Sequence, residues 1–81
     1  MKLINIGFSN LVAANRIIAV LSPDAAPVKR MAAEAKTRQM LIDATSGRRT
    51  RSIIALDSGH IVLSFMECER IHMAVNQEAD V

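Results

Sequence analysis

Residues 40–65 read MLIDATSGRRTRSIIALDSGHIVLSF, and the fold turns on how this stretch divides. Asp57-Ser58-Gly59-His60 is a strong turn signal between two β-rich runs, Ser52 to Leu56 and Ile61 to Phe65. Two such runs around a glycine-bearing turn predict an antiparallel hairpin. Met40-Leu41-Ile42 reads as a further short strand. Between it and the hairpin lie Asp43-Ala44-Thr45-Ser46-Gly47 and then Arg48-Arg49-Thr50-Arg51. The stretch is therefore a strand, a basic loop and a hairpin.

Upstream, Ile17-Ile18-Ala19-Val20-Leu21 is apolar at both alternating sets of positions, which predicts a central strand covered on both faces. Leu3-Ile4-Asn5-Ile6 is β-rich, Gly7 marks a bend or bulge, and pairing extends or restarts from Asn10 to Ala14. Ser22-Pro23-Asp24 ends the long strand. Pro27 suits the first turn of a helix, where its missing N–H costs nothing. Val28, Met31, Ala32, Ala35 and Gln39 then recur at helical spacing, with Lys29, Arg30, Lys36 and Arg38 elsewhere around the wheel. An amphipathic helix is expected from about residue 26 to 39, with no glycine to mark its end. Cys68, Ile71, His72 and Val75 predict a short C-terminal helix, and Asn76 to Val81 a frayed tail. The expected order is β-β-α-β-β-β-α, class α+β: a small mixed or antiparallel sheet with one amphipathic helix packed on it and a short C-terminal helix. Residues 1–75 make one domain and 76–81 its tail.

At 81 residues the chain supports one domain of marginal stability. Cys68 is the only cysteine, so no disulfide can form within the chain, and the lone thiol fits a reducing compartment. Half of the residues are hydrophobic (51%), nearly all aliphatic; Phe8 and Phe65 are the only aromatics. So small a globule has limited interior for that much aliphatic surface, which hints at a buried subunit interface; the alternative is that alanines inflate the count and the rest fill a core. No apolar run approaches a membrane span and no signal-peptide pattern opens the chain, so a cytoplasmic protein is expected. The net charge of +2 conceals an asymmetry: residues 1–66 carry nine Lys/Arg against four Asp/Glu, and residues 67–81 one against four. A basic body suits a polyanionic partner, and an acidic tail favours solubility.

Three arginines in four residues cannot be buried without carboxylates, and only Asp43 and Asp57 are near in sequence. They are expected to project into water, with Gly47 letting the backbone turn so that the cluster sits at a tip. Guanidinium groups bind phosphate bidentately and stay charged at any cellular pH. If the segment is extended, Arg49 and Arg51 share a face and Arg48 points to the other. Taken alone, the cluster fits either a nucleic-acid contact or a solvated basic loop. Arg16, beside Asn15, is either a surface cation, a partner for an acid such as Asp43, or a member of the same site. Lys29 and Arg30 stand in the first turns of the helix, against the macrodipole, and suit phosphate contact, an intersubunit ion pair or ordinary surface charge. Cys68 and His72, even with His60, lack the ligand number and spacing of a zinc site, and Cys68 reads as core. No phosphate-cradling loop and no nucleophile elbow occurs, and Asp43 has no evident acid–base partner. Neither an enzyme nor a cofactor nor a small-molecule substrate is expected.

The chain resembles the RemA family, the extracellular matrix regulatory protein A-like group. The resemblance rests on Ile4-Asn5-Ile6-Gly7-Phe8, Ala14-Asn15-Arg16, and Ser22-Pro23 through Ala26-Pro27-Val28-Lys29-Arg30. It continues through Leu41-Ile42-Asp43-Ala44-Thr45 and Gly47-Arg48-Arg49-Thr50-Arg51 to Asp57-Ser58-Gly59-His60. It implies a transcriptional regulator of matrix and related operons, a homo-oligomer closed into an octamer-like ring, and duplex DNA following the ring's basic surface. The arginines it carries over are Arg48 and Arg49 with Arg16, beside which Arg51, Lys29 and Arg30 are candidate contacts. Pro27 falls at a position that looks structural or interfacial, and Ser46 stands where the family often has an aromatic residue. The rival expectations are an oligomeric module that recruits an acidic protein partner, and an RNA-binding protein.

Overall fold

In the computed structural model, which describes residues 2–77, the chain runs β1 (Leu3–Asn5), β2 (Leu11–Ala13), a 3-10 turn (Ala14–Arg16) and β3 (Ile17–Leu21). It continues through α1 (Ala26–Thr37), β4 (Leu41–Asp43), β5 (Ser52–Leu56), β6 (Ile61–Ser64) and α2 (Cys68–Asn76). The class is α+β, as expected, but the strands form two sheets. β1 and β2 pair antiparallel as a hairpin of their own, and the other four lie in the order β3-β5-β6-β4. The β5–β6 hairpin forms around Asp57–Gly59, with Leu56 N–H donating to His60 O (3.0 Å) and Gly59 at φ +92°. A glycine in the left-handed region of a three-residue hairpin loop is the expected chemistry. β4 runs parallel to β6, so the larger sheet is mixed.

Alternation along β5 and β6 sends side chains to two separate cores. Ile53 and Ile61 are buried with Ala35 of α1, and Val28, Met31, Ala32 and Leu63 pack around them. Ile54 and Val62 point the other way, into a core with Ile4, Ile6, Ala44 and Ile71. The order of layers is therefore α1, the four-stranded sheet, then the β1–β2 hairpin with α2. Burying a side chain such as Ile54 or Ile71, both 0% exposed, contributes about 1.5–3 kcal/mol.

Three expectations need correction. β3 is an edge strand, not a central one. Its pairing with β5 shifts register between Ile17 and Ala19, and Ile18 at that bulge is 68% exposed. A run apolar on both faces has the same composition whether or not a neighbour covers it, so the pattern could not tell the two apart. α1 stops at Thr37, short of residue 39, in a Schellman arrangement: Gln39 N–H donates to Lys36 O (3.1 Å) and Met40 N–H to Ala35 O (2.7 Å). Gln39 adopts the left-handed φ of +60° that glycine usually supplies there, so no glycine was available to read. Cys68 is half-buried at the first turn of α2 instead of lying in the core. Of the expected tail, Asn76 is the last residue of α2, and residues 78–81 lie outside the described residues.

Candidate nucleic-acid interface

The basic loop joins β4 to β5, which are not neighbours: β6 lies between them. The loop must therefore cross the end of β6, and it is pinned there on both sides. Ala44 N–H donates to Leu63 O (2.9 Å) and Arg51 N–H to Ser64 O (2.8 Å). Thr45 is buried beneath the crossing, and Asp43 Oδ1 accepts from both its N–H (3.0 Å) and its hydroxyl (2.6 Å). These bonds favour the ionised carboxylate and hold Asp43 below the ordinary aspartate value of 3.8, against a smaller opposing effect of burial. Asp43 thus shapes the turn. It does not meet Arg16.

The chain then reverses. Arg48 N–H donates to Thr45 O (2.9 Å) around Ser46 (φ +52°) and Gly47 (φ +80°), two successive left-handed residues. Positive φ at both central positions is the requirement of a type I′ turn. Nothing crowds a Cβ at Gly47, so backbone conformation alone calls for glycine there. Arg48, Arg49 and Arg51 emerge from this turn exposed, as expected of them. Together with Arg70, Phe65 and Glu67 they line an open hollow of about 660 Å³. Arg49 and Arg51 also share a smaller hollow with Ser22–Asp24, which Arg48 does not line. Arg51 pairs with Glu67 at 3.5 Å across half-exposed side chains. Among the described residues, Arg48 and Arg49 have no ion-pair partner.

A second left-handed turn meets the first. Asn10 N–H donates to Gly7 O (3.0 Å) around Phe8 (φ +55°) and Ser9 (φ +64°). The Phe8 ring packs against Phe65, centroids 4.8 Å apart and tilted by 41°. The Arg48 guanidinium lies over the Phe8 ring, 5.8 Å from its centroid. Gly7, at φ +113°, leaves the space that Phe65 fills; a Cβ there would overlap the ring.

The remaining candidates lie elsewhere. Arg16 binds Asp57 at 3.1 Å, tying the 3-10 turn to the β5–β6 hairpin. It lines a different hollow, with Ile6, Leu11, Ile42 and Leu56, from the one that Arg48 lines. Lys29 and Arg30 are exposed in the first turns of α1, and neither lines the hollows beside the loop. Pro27 occupies the first turn of α1 and is exposed. His60 hydrogen-bonds Ser58 (2.7 Å), while His72 sits beside Asn76 on α2. Phe8 and Glu67 are not singled out from the sequence; Asp57, read there as a turn residue and a carboxylate near the arginine cluster, serves Arg16 instead. Phe8 carried one signal, as one of two aromatics in a chain that otherwise packs with aliphatics.

Comparison with known proteins agrees with the resemblance. Residues 3–74 match the RemA-like family, described as extracellular matrix regulatory protein A-like. A Dictyoglomus turgidum protein is 62% identical over 71 residues, covering 88% of this chain and 84% of its own. One from Pelotomaculum thermopropionicum is 58% identical over 80 residues, covering 98% and 88%. One from Halalkalibacterium halodurans is 52% identical over 81 residues, covering 100% and 93%. Each carries the name "putative regulatory protein", in the last case with a locus label.

Proposed function

The chain belongs to the RemA-like family, and from that premise we propose that it is a transcriptional regulator that binds duplex DNA through the Thr45–Arg51 loop. The family and the names of its relatives indicate a regulatory protein. Among the described residues no helix is long and apolar enough to cross a membrane. The observation that carries the DNA reading is the loop itself: Arg48 and Arg49, without an ion-pair partner among the described residues, on a turn pinned at both ends to β6. Guanidinium groups carried on such a turn meet phosphate oxygens with little backbone left to order on binding. Phosphate contacts position a protein on the duplex, so specificity is assigned to contact spacing and DNA shape.

The unit of function in this reading is a homo-oligomer, closed head to tail into a ring. Its support is the exposed apolar side chains at both ends of the larger sheet, Ile18 on β3 and Ile42 on β4, with Leu11 and Met73 also exposed. Two different sticky edges suit a heterologous contact. Repetition around a ring lets several modest phosphate contacts act together. In that assembly Arg16 of one subunit has a route to the loop of another.

The test is duplex binding as a function of salt, with particle mass measured with and without DNA. Counterion release makes affinity fall steeply as salt rises, in proportion to the phosphates engaged. An affinity that barely changes between low and moderate salt removes the mechanism. A monomeric particle removes the ring. Equal-length duplex RNA that competes as well as DNA moves the reading to RNA.

A further inference from the structure

We propose that Phe8 is a positioning residue for Arg48, holding its guanidinium on an aromatic platform so that it faces phosphate before DNA arrives. The inference rests on the DNA reading above. Four observations carry it. Arg48 lies over the Phe8 ring, 5.8 Å from the centroid, within the range of a cation–π contact. Phe8 in turn rests on Phe65, so the chain's two aromatic rings make a single stack. The backbone is shaped for this: Phe8 and Ser9 take left-handed φ values, which a phenylalanine adopts only where its surroundings hold it. Gly7 beside them lacks the Cβ that would collide with Phe65.

The physical consequence is a reduction in what Arg48 must lose on binding. A free arginine side chain samples many rotamers, and immobilising them opposes binding. A ring face restrains the planar guanidinium while leaving its N–H edges free for a phosphate. Phe8 itself is 44% exposed, an unusual place for one of only two aromatics if packing were its sole use. The turn Gly7–Asn10 thereby becomes part of the basic site although it carries no charge.

Phe8→Leu and Phe8→Tyr are compared with the wild type in salt-controlled duplex binding, thermal unfolding and side-chain NMR. Phe8→Leu is expected to weaken binding by roughly two- to five-fold per protomer engaged, the range of an exposed cation–π contact. Phe8→Tyr restores it. The same Phe8→Leu change made on Arg48→Ala, read at low salt, has no further effect, because the two act as one unit. In the wild type the Arg48 side-chain protons show a ring-current shift that Phe8→Leu abolishes. Wild-type affinity in Phe8→Leu overturns the inference alone, as does an equal loss in the Arg48→Ala background or a missing ring-current shift. A wild type that binds no duplex overturns the DNA reading and the inference together. Thermal unfolding separates loss of fold, which Phe8→Tyr would not show, from loss of positioning.

Discussion

The Thr45–Arg51 loop and the Arg16–Asp57 corner both present exposed arginine on a tight turn, yet they are built to opposite ends. At the corner, Arg16 is held 3.1 Å from a carboxylate, so its charge is largely answered within the chain. In the loop, Arg48 and Arg49 have no ion-pair partner among the described residues, and Arg48 lies over the Phe8 ring. The hydrogen bonds that hold the loop are made by its backbone, by Thr45 and by Asp43, and use neither the Arg48 nor the Arg49 guanidinium. Composition sees the same residue type in both places. The difference is whether an arginine's own charge or its neighbours' backbone supports the turn.

The largest expected effect attacks the loop. Replacing Arg48 and Arg49 together by Ala should lower duplex affinity by about a hundred-fold or more, since charge-assisted contacts are among the strongest single hydrogen bonds. Particle mass should be unchanged, and an unaltered gel shift would end the comparison between the two regions. Gly7→Ala comes next. It forces a Cβ into the Phe65 ring at a positive φ, and should destabilise the fold by about 2 kcal/mol in urea unfolding while loosening the Phe8 stack. Asp43→Ala removes the acceptor of the buried Thr45 hydroxyl, and should cost about 1–2 kcal/mol.

The pH dependence of that turn follows from the lowered Asp43 value. A carboxylate that ionises more readily in the folded chain contributes its full stability above about 3.8 and loses it as pH falls through its depressed folded value. Turn stability should therefore be flat from pH 5 to 8 and decline only in strong acid, a decline that Asp43→Asn removes. Asp57→Asn should change stability by less than about 1 kcal/mol, because the pair is exposed. Its use is to sharpen the comparison: it frees Arg16, and a steeper salt dependence of duplex binding in this variant would show that the corner joins the site in the assembly. Ala at Lys29 and Arg30 should shift affinity least, within about two-fold, if ordinary surface charge is all they supply.

Much of the fold was legible where local chemistry decides it. The Asp57–His60 hairpin, the helix opened by Pro27 and the exposure of the basic run all follow from turn, helix and charge rules applied to neighbouring residues. The misreadings arose where a distant part of the chain decides. Whether Ile17–Leu21 is central or marginal depends on how many strands lie beyond it. The partner of Arg16 proved to be Asp57, separated by 41 residues, in place of the nearer Asp43. The stop of α1 at Thr37 is not legible because Gln39, beyond the helix end, takes a conformation that its residue type does not advertise.

The amino-acid sequence determined that this protein has an α+β domain with a solvent-facing Gly47–Arg51 cluster, because three guanidinium groups cannot enter a core of Ile, Leu and Val unless each brings a carboxylate with it. It also carried the family, in motifs that lie in order along nearly the whole domain. Only the tertiary structure decided that the loop bridges two strands separated by β6, and is therefore pinned from both sides. Only it brought Phe8 beneath Arg48, forty positions away, by seating the β1–β2 hairpin on one face of the larger sheet. The reason is physical: side-chain chemistry and turn preference act over a few residues, whereas strand order and the meeting of two turns are set by how separate apolar faces find cover.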